Sequence, residues 1–295
     1  MSNTDFENFF NSNKIALDNH MLSLVNKLNC PAQLKESIQY SLSAGGKRIR
    51  PILTMATLDA LKKNTLLGLD IGSAIEMIHT YSLIHDDLPS MDNDDYRRGK
   101  LTNHKVYGED IAILAGDSLL TYAFELVANS PQYTSDIKVK LISELAKAAG
   151  PEGMVAGQVL DMQGEGKDLS LNDLEHIHIN KTGKMLMISV ISAGIIAGSS
   201  EIEIERLRKF ALLIGLAFQI QDDILDYVGD EAKIGKRVGS DLENNKSTYV
   251  SIFSLEKAKE LLHKTYEEAI EQLKELDLES SFLVNICELI VKRDY

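Results

Sequence analysis

The chain has no tryptophan, only two cysteines (Cys30 and Cys287), five prolines and 19 glycines in 295 residues. Two cysteines cannot supply a disulfide framework, which predicts a reducing compartment. Glycine and proline together fall below the ~12% usual in soluble chains, which argues against many short strands and turns and for long helices. Positive charge is also in deficit. The formal net charge of −13 speaks against a general nucleic-acid or anionic-membrane binder. It leaves room for an anionic substrate wherever cations gather locally. With 44% hydrophobic and 25% charged residues the chain is not disordered. Its first 13 residues are polar and acidic, so no export signal is expected. The longest apolar run, Met185 to Gly198, carries Ser189 and Ser192 and falls short of the ~20 residues of a membrane span. It reads as a helix buried on all sides, and the protein as cytoplasmic with no integral membrane association.

Apolar residues recur at spacings of three and four almost throughout. Leu17, Met21, Leu24, Val25 and Leu28 form one such stripe, ended by Cys30-Pro31. The pattern returns over 51–61, 71–85, 111–128, 137–149, 171–197, 202–228 and 255–276. No run alternates with period two for long enough to demand a strand, and the breaks are short. These features predict an all-α chain, 1–295, forming a single domain of about ten or more helices around a central core. One core of that size is near the upper limit, so dimerisation is a natural way to bury more surface.

Aspartate is concentrated in two places: Asp86-Asp87-Leu88-Pro89-Ser90-Met91-Asp92-Asn93-Asp94-Asp95 and Asp222-Asp223-Ile224-Leu225-Asp226. Each follows an apolar helical stretch, so negative charge collects at the negative end of a helix dipole, where bound cations would stabilise it. Asp222 and Asp226, four apart, share a helix face. Asp86 and Asp92 are six apart and would not, but Pro89 would end or kink the helix and let Asp92 fold back. Clustered carboxylate oxygens suit Mg²⁺, which binds through one or two carboxylates plus substrate phosphates. A single cluster could equally be an acidic helix end with capping aspartates; two in one chain favour cations. Cationic residues stand nearby in sequence: Gly45-Gly46-Lys47-Arg48-Ile49-Arg50-Pro51, Arg97-Arg98, Lys181-Thr182, Lys184, Lys236, Arg237 and Lys246. Arg and Lys beside Asp-rich metal sites fit a polyanion such as diphosphate.

The glycine-rich run at 45–51, His85 to Pro89 continuing to Arg97-Arg98-Gly99, Lys181-Thr182-Gly183, and Phe218 to Asp226 together resemble the trans-isoprenyl diphosphate synthases, and most strongly the bacterial farnesyl-forming ones. The resemblance runs from about residue 40 to the C-terminus. It implies an all-α fold, usually a homodimer, with both aspartate clusters lining one deep cavity. About three Mg²⁺ ions would then be held, by Asp86 and Asp92 with Asp87 in support, and by Asp222 with Asp223 and Asp226 assisting. Arg97, Lys181, Lys236 and Lys246 would grip an allylic diphosphate (dimethylallyl or geranyl). Lys47, Arg50, His79 and Arg98 would bind the diphosphate of isopentenyl diphosphate. Thr182, Gln219 and the Lys181 carbonyl would stabilise an allylic cation, with Phe218 among the substrate-binding residues.

Chain length has a geometric handle. Tyr81 lies five residues before Asp86, about 7.5 Å along a helix, and an aromatic there would close the pocket after a few isoprene units. In the resembled family such an aromatic accompanies a C15 product; the neighbouring Ser82 is small, so the floor depends on one ring. Rival readings explain less. Glu76-Met77-Ile78-His79 and Glu175-His176-Ile177-His178 spell the Glu-x-x-His of di-iron bundles, which leaves the Lys and Arg motifs unexplained. A terpene cyclase would carry a different second motif, and a silent subunit commonly lacks one of the two. A C20 or C10 synthase with another pocket floor is the remaining alternative.

Overall fold

The computed structural model describes residues 3–228, 246–276 and 278–292. Among these residues the chain is α-helical apart from one minimal hairpin. In order come α1 (Asn3–Asn26), α2 (Ala32–Leu42), α3 (Ile49–Ala60), a 3₁₀ turn (Thr65–Gly68), α4 (Leu69–Asp86), β1 (Tyr96–Arg97) and β2 (Lys100–Leu101). Then follow α5 (Asn103–Tyr107), α6 (Glu109–Asn129), α7 (Ser135–Ala149), α8 (Met154–Gly164) and α9 (Leu171–His178). A π turn (Ile179–Gly183) leads into α10 (Lys184–Ala197) and α11 (Glu201–Val228). The last elements are α12 (Tyr249–Ile252), α13 (Leu255–Lys274) and α14 (Ser281–Val291). The all-α expectation holds, and each predicted helical run coincides with helix to within a few residues, with one interruption at residues 179–183.

The residues group into two compact units. One comprises Met1–Met55 and Asn64–Ile142; the other comprises Ala56–Lys63 and Ser143–Tyr295. In the first unit α4 packs along α6. It is buried on nearly every side, from Asp70 through Met77, as its apolar and small residues require, and the two charged residues in that stretch are paired, Asp70 with His20 and Glu76 with Arg48. The predicted α1 stripe turns inward, with Leu17, Met21 and Val25 buried. In the second unit α11 packs against α10 and α13. A cluster of Leu174, Ala217, Ile220, Ile224, Tyr249, Ala258, Leu262 and Val291 ties α9, α11, α12, α13 and α14 together.

Two described helical runs, Glu109–Asn129 and Leu171–Ala197, are long and apolar enough by length and composition to cross a membrane. The second is 72% buried within the protein over its most apolar window and is broken by the π turn. Residues Met185 to Gly194 of α10 are buried without exception, as expected for a helix enclosed on all sides.

One buried ion pair staples the first unit. Arg48 adopts φ 53°, a left-handed conformation that costs an L-residue roughly 1–2 kcal/mol. Its guanidinium is held by three partners: Asp18 Oδ1 at 2.9 Å, Glu76 Oε1 at 2.8 Å and the Leu42 carbonyl at 2.5 Å. The Arg48 and Glu76 side chains are each only 3% exposed. Glu76→Ala should therefore destabilise the protein by about 3 kcal/mol, since it leaves the buried guanidinium with Asp18, the more exposed carboxylate, as its one counter-charge among these partners. Chemical unfolding of the variant measures this. The same contact removes Glu76-x-x-His79 from consideration as a metal motif, because its carboxylate is committed to Arg48.

Candidate active site

The first carboxylate cluster forms where α4 ends. Asp86 is its last residue and Asp87 its C-cap. The chain then reverses as Pro89 predicts: the Asp92 N–H donates to the Asp86 carbonyl at 2.8 Å, and the Asn93 N–H to the Leu88 carbonyl at 3.1 Å. Asp92 is exposed and Asp86 half-buried. Asp87 is turned inward, 4% exposed, and its Oδ1 accepts from Arg97 Nε at 2.6 Å. Burial pushes the Asp87 carboxyl up despite that contact. Burial, the largest single influence, would lower the Arg97 guanidinium, but the Asp87 hydrogen bond and the charges of Asp87, Asp94 and Asp86 together outweigh it and the net direction is upward.

Arg97 and Arg98 owe their placement to a hairpin that the sequence pattern did not call for. Tyr96 pairs with Leu101 and Arg97 with Lys100. The two turn residues, Arg98 (φ 53°) and Gly99 (φ 74°), both have positive φ, which matches the twist of a tight antiparallel connection. Arg98 Nη1 donates to the Gly45 carbonyl, which ties it to the glycine-rich run that carries Lys47 and Arg50. Lys47 is exposed and Arg50 half-buried. His79, half-buried on α4, is held well below its usual range by burial and by the fields of Arg50, Arg98, Arg97 and Arg48. Its ring is neutral at physiological pH. Arg50, Arg98 and His79 thus lie close enough in the first unit to act on one another, and Lys47 stands on the same glycine-rich run.

In the same unit Tyr81 is buried, 7% exposed, and meets His85 edge to face at 5.6 Å. His85 packs over Gly116, where a Cβ would collide with the ring, and its Nε2 lies 3.1 Å from the Ile113 carbonyl. Ser82 Oγ donates back to the His79 carbonyl.

The second cluster repeats the logic of the first. Asp222 is half-buried, whereas Asp223 and Asp226 are buried. Asp223 Oδ2 accepts from the Tyr249 N–H at 2.8 Å and so anchors the start of α12. In each Asp-Asp pair the second member is a structural acceptor, Asp87 for Arg97 and Asp223 for Tyr249. The first member is less buried in both pairs.

A cavity of about 200 Å³ in the second unit is lined by Asp222, Asp223, Gln219, Lys181, Lys246 and Asp161, among others. Lys181 and Thr182 sit in the π turn, a wide turn of the kind that recurs at functional sites. The turn is gripped by two glycines. A Cβ on Gly157 of α8 would fall on the Lys181 backbone nitrogen, and one on Gly215 of α11 would lie 2.6 Å from the Gly183 Cα. Lys181 Nζ donates to Asp161 Oδ2 at 2.7 Å, and Lys246 Nζ reaches the same oxygen at 3.3 Å. Burial would raise Asp161, but the two lysines hold its carboxyl below the usual range. Burial also pushes the neighbouring His178 down to about 4. Glu175, the other half of the second Glu-x-x-His, accepts from the Tyr249 hydroxyl at 3.1 Å. Gln219 and Phe218 are half-buried on α11. Lys236, expected to contact diphosphate, lies outside the described residues.

Among the described residues no three His, Cys, Asp or Glu side chains form a ready-made metal cage. That is the usual condition of Mg²⁺ sites, which rely on one or two carboxylates plus substrate phosphates. The carboxylates of Asp86 and Asp92 in the first unit, and separately those of Asp222 and Asp226 in the second, are the donor chemistry such an ion takes.

An all-α chain with Asp-rich ends on two core helices, one beside Arg97 and the other beside Lys181 and Lys246, defines a narrow class of helical proteins. A family profile described as polyprenyl synthetase matches residues 31–282, and the chain belongs to that family. It is 54% identical over 297 residues, covering both chains completely, to a farnesyl diphosphate synthase of Geobacillus stearothermophilus. Among solved structures it is similar to an FPP/GFPP synthase of Zymomonas mobilis, with TM-score 0.87 and 32% identity over 98% of this chain and 99% of that one. It is also similar to a geranyltransferase of Helicobacter pylori complexed with magnesium and isoprenyl diphosphate, with TM-score 0.82 and 33% identity over 99% and 97%.

Proposed function

We propose that the chain is a farnesyl diphosphate synthase. It joins isopentenyl diphosphate head to tail (1'-4) first to dimethylallyl and then to geranyl diphosphate, giving (E,E)-farnesyl diphosphate. The observation that carries this reading is the pair of Asp-Asp helix ends, each with its own cationic residues, in a chain of this family. We also assign both units to one catalytic domain, 1–295, working as a cytoplasmic homodimer.

Asp86 and Asp92, and Asp222 with Asp226, would hold about three Mg²⁺ ions, which when bound neutralise charge on the departing diphosphate. Asp87 and Asp223 support them by positioning Arg97 and α12. Lys181, Lys246, Arg97 and Lys236 bind the allylic diphosphate and stabilise the charge it gains as its C–O bond breaks. Lys47, Arg50, Arg98 and His79 hold isopentenyl diphosphate, with His79 donating a ring N–H. The Lys181 carbonyl, the Thr182 hydroxyl and Gln219 direct their dipoles at the allylic cation. The isopentenyl double bond supplies the electrons of the new C–C bond, and the proton lost afterwards passes to the released diphosphate. Tyr81 ends the pocket, and the apolar wall keeps water from the cation.

Purified protein with Mg²⁺, isopentenyl diphosphate and either allylic starter should yield mainly C15 product by mass spectrometry. A dominant C20 product would overturn the chain-length assignment, and no condensation with either starter would favour a non-catalytic subunit. Chelation with EDTA should abolish turnover, and added Mg²⁺ should restore it.

A further inference from the structure

We infer that Asp161 is a positioning residue for the two diphosphate-binding lysines of the second unit, an inference that rests on the assignment of Lys181 and Lys246 made above. Neither the sequence pattern nor the aspartate clusters single out Asp161.

The argument starts from α8. Gly157, Asp161 and Glu165 are spaced four apart, so they follow one another along one side of that helix and its C-cap. Gly157 meets Lys181, Glu165 meets Lys246, and Asp161 between them meets both. Gly157 has no Cβ, and the Lys181 backbone occupies that space. Asp161 Oδ2 takes the Lys181 ammonium at 2.7 Å and the Lys246 ammonium at 3.3 Å. Glu165 Oε1 is 3.4 Å from Lys246 Nζ. The Asp161 side chain is only 21% exposed and lines the same cavity as Asp222 and Gln219.

Two ammonium groups on one carboxylate oxygen is an arrangement that neither lysine would keep alone. Like charges at that spacing repel, and each long side chain gains rotamer freedom by leaving. The shared carboxylate cancels the repulsion and draws both cations to one point before any substrate arrives. The same contact pulls on the π turn, whose Lys181 carbonyl and Thr182 face the reacting centre in the proposed mechanism. Asp161 therefore sets geometry at the reacting atoms without touching them.

Charge and geometry make opposite predictions, which allows a test. In Asp161→Asn the site loses an anion, so attraction for the allylic diphosphate should be undiminished and the KM for geranyl diphosphate unchanged or lower. The lysines and the π turn lose their anchor, so kcat should fall roughly ten- to a hundredfold, the scale set by small misplacements of reacting groups. Asp161→Glu keeps the anion at a shifted position and should recover part of that loss. Melting temperatures of both variants are read alongside. A merely structural salt bridge would lower the melting temperature and leave kcat and KM of the folded enzyme at wild-type values. A kcat within twofold of wild type in folded Asp161→Asn, or an Asp161→Glu enzyme no better than Asp161→Asn, overturns the inference. Should Asp161→Asn not fold, Asp161→Glu alone decides: a reduced kcat supports the role and a wild-type kcat rejects it. Inactive wild-type protein would instead reject the proposed function itself.

Discussion

Replacing Tyr81 with alanine should shift the main product from C15 to C20 or longer. The ring is buried five residues ahead of Asp86 on α4, about 7.5 Å along the axis, so a prenyl chain lying alongside α4 meets it after a few isoprene units. It has little freedom to swing aside. His85 packs against it edge to face, and His85 is itself held over Gly116 beside the Ile113 carbonyl. Interiors packed this closely yield only by losing atoms, which is what the alanine does. Removing a large buried ring also destabilises, by about 3 kcal/mol, so the melting temperature must be measured with the product profile. Mass spectrometry of the extracted prenyl chains is the readout. An unchanged C15 product from the folded variant would remove Tyr81 from the pocket floor.

The largest loss of rate is expected at the first aspartate of each pair. Asp86→Ala and Asp222→Ala should each lower kcat/KM by roughly 10²–10³-fold or more, because each removes a carboxylate that would hold the Mg²⁺ countering the charge of the departing diphosphate. Neither side chain is fully buried, so the melting temperature should move little. The second aspartates should behave differently. Asp223→Ala leaves the Tyr249 amide without its acceptor, a cost of about 1–3 kcal/mol, and loosens α12 from α11. Asp223→Asn keeps an acceptor oxygen and should regain most of that stability. Steady-state kinetics and thermal unfolding of the four variants separate the two roles. Equal kinetic loss with no stability difference between Asp222→Ala and Asp223→Ala would show that the pair acts as a unit.

Much of this was legible in the order of residues, because it depends on local rules. Apolar spacing marked the runs that became α4, α6, α10 and α11, since a helix needs only its own periodicity to declare a buried face. The reversal that brings Asp92 back to Asp86 was readable from Pro89, whose ring cannot continue a helix. Asp222 and Asp226 were placed on one face by spacing alone, and the cationic motifs stood out by composition. Other features had no local signature. The run 171–197 reads as one continuous helix. Its π turn exists because Gly157 and Gly215, 24 residues before and 34 after Lys181, admit backbone where other residues would bring a Cβ. The Arg98-Gly99 hairpin is too short to show alternation. The inward turn of Asp87 and Asp223 is set by Arg97 and by the Tyr249 amide, and Asp161 meets Lys181 and Lys246 across 20 and 85 residues. Periodicity tells a residue which side to bury and nothing about what it will bury against. Which aspartate carries chemistry and which carries structure was therefore decided only when distant segments packed and each buried polar group had to find its partner.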